Sequence, residues 1–381
     1  MRRRTIFSLV LALVVASAIP ALAADPIRIG AIFAVTGPAA NLGLPESRTL
    51  QMLVDDTNAS GGILGRKIEL IVKDSQGSTE KAVSFAKQLV EEDGVLAIIG
   101  PSTTGESMAL KGYSDQNEQI LISCAAAATI VQPVAKWVFK TPQMDSFAAQ
   151  AIFATMKKLG ISRFGAVVSN TGFGQGGKAQ LEKLAPQSGL TLAITEVYDS
   201  TATDLTAVLA KVKAQNVQAV VNWSVEPAQS LVPKNMKQMG FDVPLFQSHG
   251  FGNIAYVTAA GKAADGIIFP AGRLLVAGVL PASHPQKQVL SAYKKEYEAK
   301  FGDEVSTFGG HAYDAFLILT EAVKKAGGTD KYKVRDAIES LKGLVGTAGV
   351  FSFSPEDHNG LTMESFEMLT VKNGAFAVYG R

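Results

Sequence analysis

A glycine-rich segment at residues 172–178 is the part of the sequence with the pattern of a nucleotide site. Its glycines at positions 172, 174 and 177 satisfy G-x-G-x-x-G, and with Lys178 they also satisfy G-x-x-x-x-G-K. However, Ala179 stands where a phosphate-binding loop needs serine or threonine to hold magnesium. Residues 169–171 also separate the preceding strand pattern from the first glycine, which loosens the turn that a dinucleotide site requires. We interpret the segment as a helix start that faces a cleft, and we expect no cofactor.

Histidine and cysteine side chains could support metal or nucleophile chemistry, but their spacing does not favour it. The four histidines, His249, His284, His311 and His358, form no H-E-x-x-H motif and no pair with zinc-ligand spacing. The sequence contains no G-x-S-x-G nucleophile elbow. The single cysteine, Cys124, is interpreted as a small buried thiol rather than a nucleophile. We therefore predict no catalytic residue and no metal site.

Composition places the chain among globular proteins. It has 381 residues, of which 47% are hydrophobic and 18% are charged, and this is enough apolar material for a sizeable core. The 36 basic and 34 acidic residues form no long run of one sign. A nucleic-acid binder needs a basic face to neutralise phosphates, so we exclude nucleic acid as a partner.

The N-terminus has the three parts of a secretory signal peptide. Arg2, Arg3 and Arg4 form a basic start, residues 6–19 are uncharged and mostly apolar, and residues 21–23 are Ala-Leu-Ala, a small-residue cleavage site. The apolar run is shorter than the roughly 20 residues that span a bilayer. No cysteine follows the cleavage site, which argues against a lipid anchor. We predict that residues 1–23 are a signal peptide and that the mature chain is periplasmic.

Short apolar runs alternate with amphipathic stretches along the chain. Strands are predicted at residues 27–34, 67–73, 95–99, 120–123, 164–169, 190–198, 217–222 and 244–247. A helix is predicted between most consecutive strands, which indicates an α/β fold with two doubly wound parallel sheets. A helical region at residues 286–326 and short strands near 349–353, 365–371 and 375–378 complete the chain.

Ligands of open parallel sheets bind beyond the carboxyl ends of the strands. The loops at these ends are expected at residues 36–43, 100–106, 124–129, 170–177, 222–226 and 248–253. They are rich in glycine, serine, threonine and alanine, and small residues let backbone N–H groups approach an anion closely.

Several short motifs in these loops carry a resemblance to a known family. The markers are Ile29-Gly30 followed by Thr36-Gly37-Pro38, the run N-A-S-G-G-I-L-G at residues 58–65, Phe173-Gly174-Gln175-Gly176, and Ala312-Tyr313-Asp314-Ala315. In this order, and behind a signal peptide, they resemble the type I periplasmic solute-binding proteins of the branched-chain amino-acid ABC transporter family. The similarity covers essentially the whole mature chain.

The resemblance implies two lobes joined by a three-strand hinge, with crossings near residues 142–144, 270–272 and 364–366. The N-terminal lobe would comprise residues 25–142 and 272–364, and the C-terminal lobe residues 143–271 and 365–381. The resemblance also implies that a ligand is trapped when the lobes close. The protein, expected to be a monomer, would then dock onto the membrane permease of an ABC importer.

In that family, hydroxyls and backbone N–H groups after two neighbouring strands hold the carboxylate of the ligand. The matching positions here are Ser102, Thr103, Thr104, Ala125, Ala126 and Ala127. Thr104 is the expected principal anchor, and the role of a helix N-cap fits it equally well. A hydroxyl residue is usual at the position of Ala127, so more of the carboxylate binding is expected from backbone N–H groups.

His249, followed by Gly250, is the larger departure from the family pattern. An acidic residue is common at the position of His249, where it neutralises the ammonium group of an amino acid. Histidine offers no fixed negative charge, and burying an unpaired ammonium costs several kcal/mol. The aromatic residues Phe173, Trp223 and Phe308 fall at cleft-facing positions, although core aromatics would give the same pattern.

Four segments, at residues 125–128, 247–250, 308–311 and 357–360, look like a subgroup of this family that takes aromatic acids such as benzoylformate. We therefore predict a non-enzymatic binding protein for a small hydrophobic carboxylate, with an aromatic or 2-oxo acid favoured. One alternative is a branched-chain or aromatic amino acid in the same cleft. Another is a sensory module that presents its ligand to a receptor instead of a transporter. A secreted enzyme is disfavoured because the sequence lacks a catalytic constellation.

Overall fold

The structure is a computed structural model that describes residues 25–380. The predicted signal peptide at residues 1–23 lies outside the described residues. Between residues 25 and 380, no helix is both long and apolar enough to cross a membrane.

The first part of the chain forms a parallel sheet of five strands. These are β1 (Ile27–Phe33), β2 (Ile68–Asp74), β3 (Ala97–Ile99), β4 (Ile120–Ser123) and β5 (Val138–Lys140), in the order β2-β1-β3-β4-β5. Three helices connect them: α1 (Ala40–Ala59), α2 (Thr79–Lys87) and α3 (Thr104–Gln116). Strands β3 and β4 are wholly buried, which is typical of strands covered by helices on both faces.

The chain then builds a second sheet on the same strand–helix–strand plan. Its helices are α4 (Asp145–Lys158), α5 (Gly172–Gln187), α6 (Thr206–Lys213), α7 (Leu231–Gln238) and α8 (Ile254–Ala260). Its strands in this part are β6 (Arg163–Ser169), β7 (Thr191–Tyr198), β8 (Ala219–Trp223), β9 (Leu245–Gln247) and β10 (Ile268–Ala271).

The remaining elements return to both sheets. Helices α9 (Lys287–Phe301), α10 (Thr307–Ala326) and α11 (Lys331–Glu339) come next, followed by the hairpin β11 (Leu344–Val345) and β12 (Val350–Phe351). The buried side chains of α10 and α11 join the core of the first sheet. Strands β13 (Glu367–Lys372) and β14 (Ala375–Val378) add antiparallel to the second sheet, whose order is β14-β13-β10-β9-β8-β6-β7. We call the elements on the five-stranded sheet the first lobe and those on the seven-stranded sheet the second lobe.

These two mostly parallel sheets confirm the predicted fold class. Strands β5 and β10 and helices α8 and α11 were not predicted. Strand β5 is short and ends in the fully buried Lys140, which breaks its apolar pattern. The helical region expected at 286–326 is two helices, because Gly302 adopts a positive φ of 71° that ends α9 and Ser306 caps α10. The lobe limits at residues 142, 271 and 364 stay a prediction.

The two lobes contact each other directly across the cleft between them. Asn253 Nδ2 in the second lobe donates to the backbone oxygen of Asn41 in the first lobe at 2.9 Å. Gly172 lies against α3, since a Cβ built on it would be 3.2 Å from the backbone nitrogen of Gly105. The structure is therefore the closed form of a two-lobed protein.

Candidate functional site

A cavity of about 340 Å³ lies between the lobes, beyond the carboxyl ends of the strands. Its volume is at the lower end of the roughly 300–1,000 Å³ found for small-molecule sites. Most of the residues predicted to bind a ligand line it: Ser102, Thr103, Thr104, Ala125, Ala126, Phe173, His249, Gly250 and Phe308. Two do not, Ala127 and Trp223.

The N-terminus of α3 presents unpaired donors to the cavity. Thr103, not Thr104, caps this helix, because its hydroxyl accepts from the Glu106 N–H while the Glu106 carboxylate accepts from the Thr103 N–H. Of the two roles left open for Thr104, the N-cap is therefore wrong. The Thr104 hydroxyl is buried without a partner among the described residues, and first-turn N–H groups have no partner within their own helix.

The hydroxyls of Ser102 and Thr103 are occupied by the protein itself. Ser102 Oγ accepts from the Ala34 N–H at 3.0 Å and donates to the carboxylate of the buried Glu46. Burial raises the pKa of Glu46 well above its usual value. Thr103 Oγ1 donates to Glu106 at 2.6 Å. Both residues line the cavity, but the expectation that their hydroxyls are free for a ligand needs correction, and Thr104 alone of the three keeps an unpaired hydroxyl.

The loop after β4 adds backbone donors. The Ala125 N–H donates to Ser123 Oγ at 3.0 Å, whereas the Ala126 N–H has no hydrogen-bond partner within residues 25–380. Ala127 is 1% exposed and lies behind the lining, within 3.5 Å of a Cβ built on Gly176. Its methyl group fills space between the lobes.

The glycine-rich segment begins α5, whose N-terminus faces that of α3 across the cavity. Thr171 caps α5, and Gly172 and Phe173 line the cavity. Gly177 is required by packing, because a Cβ there would lie 2.2 Å from Cγ of Trp223. The glycines of this segment therefore serve close packing, which agrees with the interpretation of a helix start at a cleft.

Aromatic rings form the second-lobe wall in two layers. Phe173 lines the cavity, and the fully buried Trp223 lies behind it, with ring centroids 5.9 Å apart. Trp223 was expected to face the cleft, and the structure corrects this: β8 ends with its side chain turned into the second-lobe core. Phe308 at the start of α10 lines the cavity from the first lobe.

His249 packs among rings and makes no hydrogen bond through its side chain. Its ring lies 5.3 Å from Phe173, 5.7 Å from Trp223 and 5.6 Å from Phe366. Both ring nitrogens are buried without partners among the described residues. Burial, together with the nearby Lys140 charge, lowers the pKa of His249 well below its usual value. The imidazole is therefore neutral at pH 7.

Sequence reasoning missed His311 and Lys140 as parts of the site. His311 on α10 lines the cavity, and burial next to the Lys140 charge lowers its pKa to about 3. Lys140 ends β5 beneath the cavity and donates to the backbone oxygen of Pro142 at 2.6 Å. Burial lowers the pKa of Lys140, whereas the carboxylates of Asp145 and Asp357 favour its charged form. His311 ends the segment at residues 308–311 that resembles the aromatic-acid subgroup, but it was not among the predicted site residues, and no motif contains Lys140.

Glu226 was also missed, although it ends a loop expected at the cleft. It lines the cavity from the second lobe. Its carboxylate accepts from Ser224 Oγ at 2.6 Å and from the Val225 N–H at 3.2 Å. The cavity therefore does contain one carboxylate, in a different place from the position of His249.

Two further groups bear on the chemistry of the site. Cys124 lines the cavity, and burial raises the pKa of its thiol well above the usual value, which matches the interpretation of an inert buried thiol. In the part of the chain that the structure describes, no three His, Cys, Asp or Glu residues are grouped to hold a metal ion.

Comparison with known proteins agrees with this architecture. The sequence profile of the family described as periplasmic binding proteins matches residues 26–375. The chain belongs to this family. Its relatives place it among the type I periplasmic binding proteins of the branched-chain amino-acid family.

Individual members of this family differ substantially in sequence from the chain. The leucine-, isoleucine-, valine-, threonine- and alanine-binding protein of Pseudomonas aeruginosa is 26% identical over 84% of this chain and 83% of its own length. An extracellular ligand-binding receptor from Rhodopseudomonas palustris has a TM-score of 0.87 at 28% identity, covering 93% of this chain and 99% of that one. A Streptococcus pneumoniae branched-chain amino acid transporter substrate binding protein, solved with isoleucine, has a TM-score of 0.80 at 27% identity, covering 93% and 98%.

Proposed function

We propose that this periplasmic binding protein captures a small hydrophobic carboxylate, with an aromatic or 2-oxo acid preferred to an amino acid, and delivers it to an ABC importer. The observation that carries the proposal is the pairing of free N–H and hydroxyl donors on one side of the closed cavity with rings and a neutral imidazole on the other.

The donors of α3 and the β4 loop support an anionic end. The Thr104 hydroxyl and the N–H groups of Thr104, Gly105 and Ala126 lie together at the first-lobe side of the cavity. The N-terminus of α5 approaches from the second lobe, and helix N-termini favour negative charge. A carboxylate bridging the two helices would make contacts only in the closed form, so it would stabilise closure.

The remaining lining supports an apolar body. Phe173, Phe308, Leu42 and Val225 contribute apolar side chains to the cavity lining. Rings at two sides favour a flat hydrophobic group, and a cavity of about 340 Å³ suits a ligand the size of a phenyl-substituted acid.

The state of His249 supports an acid without an ammonium group. A neutral imidazole supplies one donor and one acceptor but no charge to balance an ammonium. The nearby Lys140 charge further opposes a second buried cation.

A second candidate, an amino acid, is favoured by Glu226. Its carboxylate lines the cavity and could pair with an ammonium group. The Pseudomonas aeruginosa relative is a leucine-, isoleucine-, valine-, threonine- and alanine-binding protein, and the Streptococcus pneumoniae protein was solved with isoleucine. Glu226 already accepts two hydrogen bonds from its own loop, which reduces its capacity for a ligand.

The role we propose is binding and release without chemical change. The cavity lining offers no nucleophile–base pair, because the Cys124 thiol is held protonated by burial. We propose that the chain is exported through residues 1–23, is not lipid-anchored, works as a monomer and docks on a membrane permease. A receptor that reads the same closed form is the alternative partner.

The experiment is a binding screen with acids that share one skeleton. Phenylacetate, mandelate, benzoylformate and phenylglycine differ only at the carbon next to the carboxylate, and leucine with 4-methyl-2-oxopentanoate gives an aliphatic pair. Bound ligand raises the melting temperature by mass action, and calorimetry gives Kd. We expect benzoylformate to bind more tightly than phenylglycine. The reverse order, with the preference abolished by Glu226→Gln, would establish the amino-acid candidate instead.

A further inference from the structure

We propose that His311 and His249 act as a specificity-determining pair that donates N–H hydrogen bonds to an oxo or hydroxyl oxygen on the carbon next to the ligand carboxylate. This inference rests on the proposed function, since it concerns the same cavity. It adds His311, which was not among the predicted site residues, and it names the ligand group that the pair recognises.

The two imidazoles reach the cavity from opposite lobes. His249 follows β9 in the second lobe, whereas His311 lies on α10 in the first lobe, one helical turn from Phe308. Both line the cavity, and each is 6% exposed. An oxygen bound by both rings would therefore be held only when the lobes are closed.

Their hydrogen-bonding capacity is unused by the protein. His249 Nδ1, His249 Nε2 and His311 Nδ1 are buried with no partner among the described residues. A buried polar group without a partner has lost its hydrogen bonds to water, so the folded cavity favours a guest that satisfies it. A neutral imidazole always carries one N–H, so two such rings offer two donors to one acceptor oxygen.

The neutral state of both rings favours an oxygen acceptor as the guest. Burial is the main cause that lowers the pKa of His249 and of His311, and the nearby Lys140 is a lesser cause. Lys140 Nζ donates to the backbone oxygen of the cavity-lining Pro142, so this basic group cannot pair with an ammonium group either. An oxygen acceptor gains hydrogen bonds from the imidazole N–H donors, whereas an ammonium group finds no negative charge on these residues.

The backbone at His311 is fixed. Thr141 Oγ1 donates to the His311 oxygen at 3.0 Å, and Thr347 Oγ1 donates to the Gly310 oxygen at 2.8 Å. These bonds join α10 to the β5 end and to the segment after β11. The backbone that carries the His311 imidazole is therefore held in place, as a specificity-determining residue requires.

The test compares Kd values of phenylacetate, mandelate and benzoylformate for the full chain and for His311→Phe, His311→Asn and His249→Phe. For the unaltered protein we expect benzoylformate to bind about tenfold more tightly than phenylacetate, the equivalent of one net hydrogen bond. His311→Phe should abolish this oxygen preference, so that the ratio of the phenylacetate Kd to the benzoylformate Kd falls from about ten to about one. His311→Asn keeps an N–H donor and should restore part of the preference. His284→Phe, a histidine outside the cavity lining, is the matched control and should keep all of it.

The outcomes separate this inference from the proposed function. Binding of all three acids with an unchanged benzoylformate-to-phenylacetate ratio in His311→Phe would refute the role of His311 and leave the proposed function standing. Equal loss of phenylacetate and benzoylformate would also refute it, since His311 would then be structural only. Failure of every carboxylate to bind the unaltered protein would overturn the proposed function and this inference with it.

Discussion

The side of the cavity at α3 and the β4 loop offers backbone N–H groups and one unpaired hydroxyl, whereas the rest of the lining is rich in rings and neutral imidazoles. These come from both lobes: Phe308 and His311 from the first, and Phe173 and His249 from the second. We call residues 102–105 and 125–126 the anion wall, and Phe173, His249 and Gly250 the selective wall. The anion wall depends on helix and loop backbone, which many sequences can supply. The selective wall depends on side-chain identity, so differences in ligand choice within the family are expected to arise there.

The largest expected effect comes from the packing behind the selective wall. Gly177→Val would place Cβ 2.2 Å from Trp223 Cγ and displace the ring that backs Phe173 and His249. We expect a loss of about 3 kcal/mol in the free energy of unfolding, measured by denaturant titration, and loss of ligand binding. Gly112→Val on α3, where a Cβ meets nothing within 4 Å, is the control. Equal stability of the two variants would show that Trp223 does not support this wall.

The next effect tests charge at the selective wall. His249→Glu places an acid where an ammonium group of a ligand would lie, and charged hydrogen bonds contribute about 2 kcal/mol. We expect the ratio of the phenylglycine Kd to the benzoylformate Kd to fall about thirtyfold, measured by calorimetry. His249→Gln, which adds no charge, is the matched control. An unchanged ratio would mean that position 249 does not discriminate between these ligands.

Acid stability tests the histidine of the cavity floor. The pKa of His311 is about 3 in the folded protein, below its unfolded value of about 6.5, so the unfolded chain takes up a proton first as the pH falls. Its stability contribution is complete above pH 6.5 and declines below it. Between pH 6.5 and 5 the unaltered protein should lose about 2 kcal/mol more than His311→Phe, measured by denaturant titration. Around pH 8 the difference in stability between the two proteins should no longer change with pH, and parallel profiles between pH 6.5 and 5 would contradict this assignment.

The smallest effect compares two neighbouring threonines of the anion wall. Thr104→Val removes the unpaired hydroxyl and should weaken every carboxylate ligand about tenfold with little loss of stability. Thr103→Val removes the helix cap and should cost about 1 kcal/mol of stability. Calorimetry and thermal unfolding of the pair distinguish a binding hydroxyl from a capping one. Equal Kd values for the two variants would show that the ligand carboxylate does not bind the Thr104 hydroxyl.

The fold follows from local sequence signals, whereas the residues of the anion wall were named through the family resemblance. Alternating apolar runs predicted most strands, and the loops after them contain most of the residues that line the cavity. Thr104 and Phe173 were chosen because their positions match the family pattern. Only the capping geometry of Thr103 shows that the Thr104 hydroxyl is the unpaired one.

The floor of the cavity could not be predicted in this way. His311 lies within a helix. Lys140 ends a short strand, and its charged side chain interrupts the apolar pattern by which that strand could be predicted. Their contact with His249 depends on three separate chain segments meeting between the lobes. The prediction that Trp223 faces the cleft was wrong for a related reason. Strand β8 includes Trp223, one residue beyond the predicted end of the strand, and successive side chains of a strand point to opposite faces of the sheet.

The meeting of α3 and α5 across the cavity has a consequence for the empty protein. Each helix N-terminus carries roughly half a positive elementary charge, so two of them brought face to face repel unless something negative lies between them. The ligand-free protein should therefore be mostly open, and the ligand-bound protein should be mostly closed. A membrane partner that binds only the closed form would hydrolyse ATP for ligand-bound molecules and not for ligand-free ones.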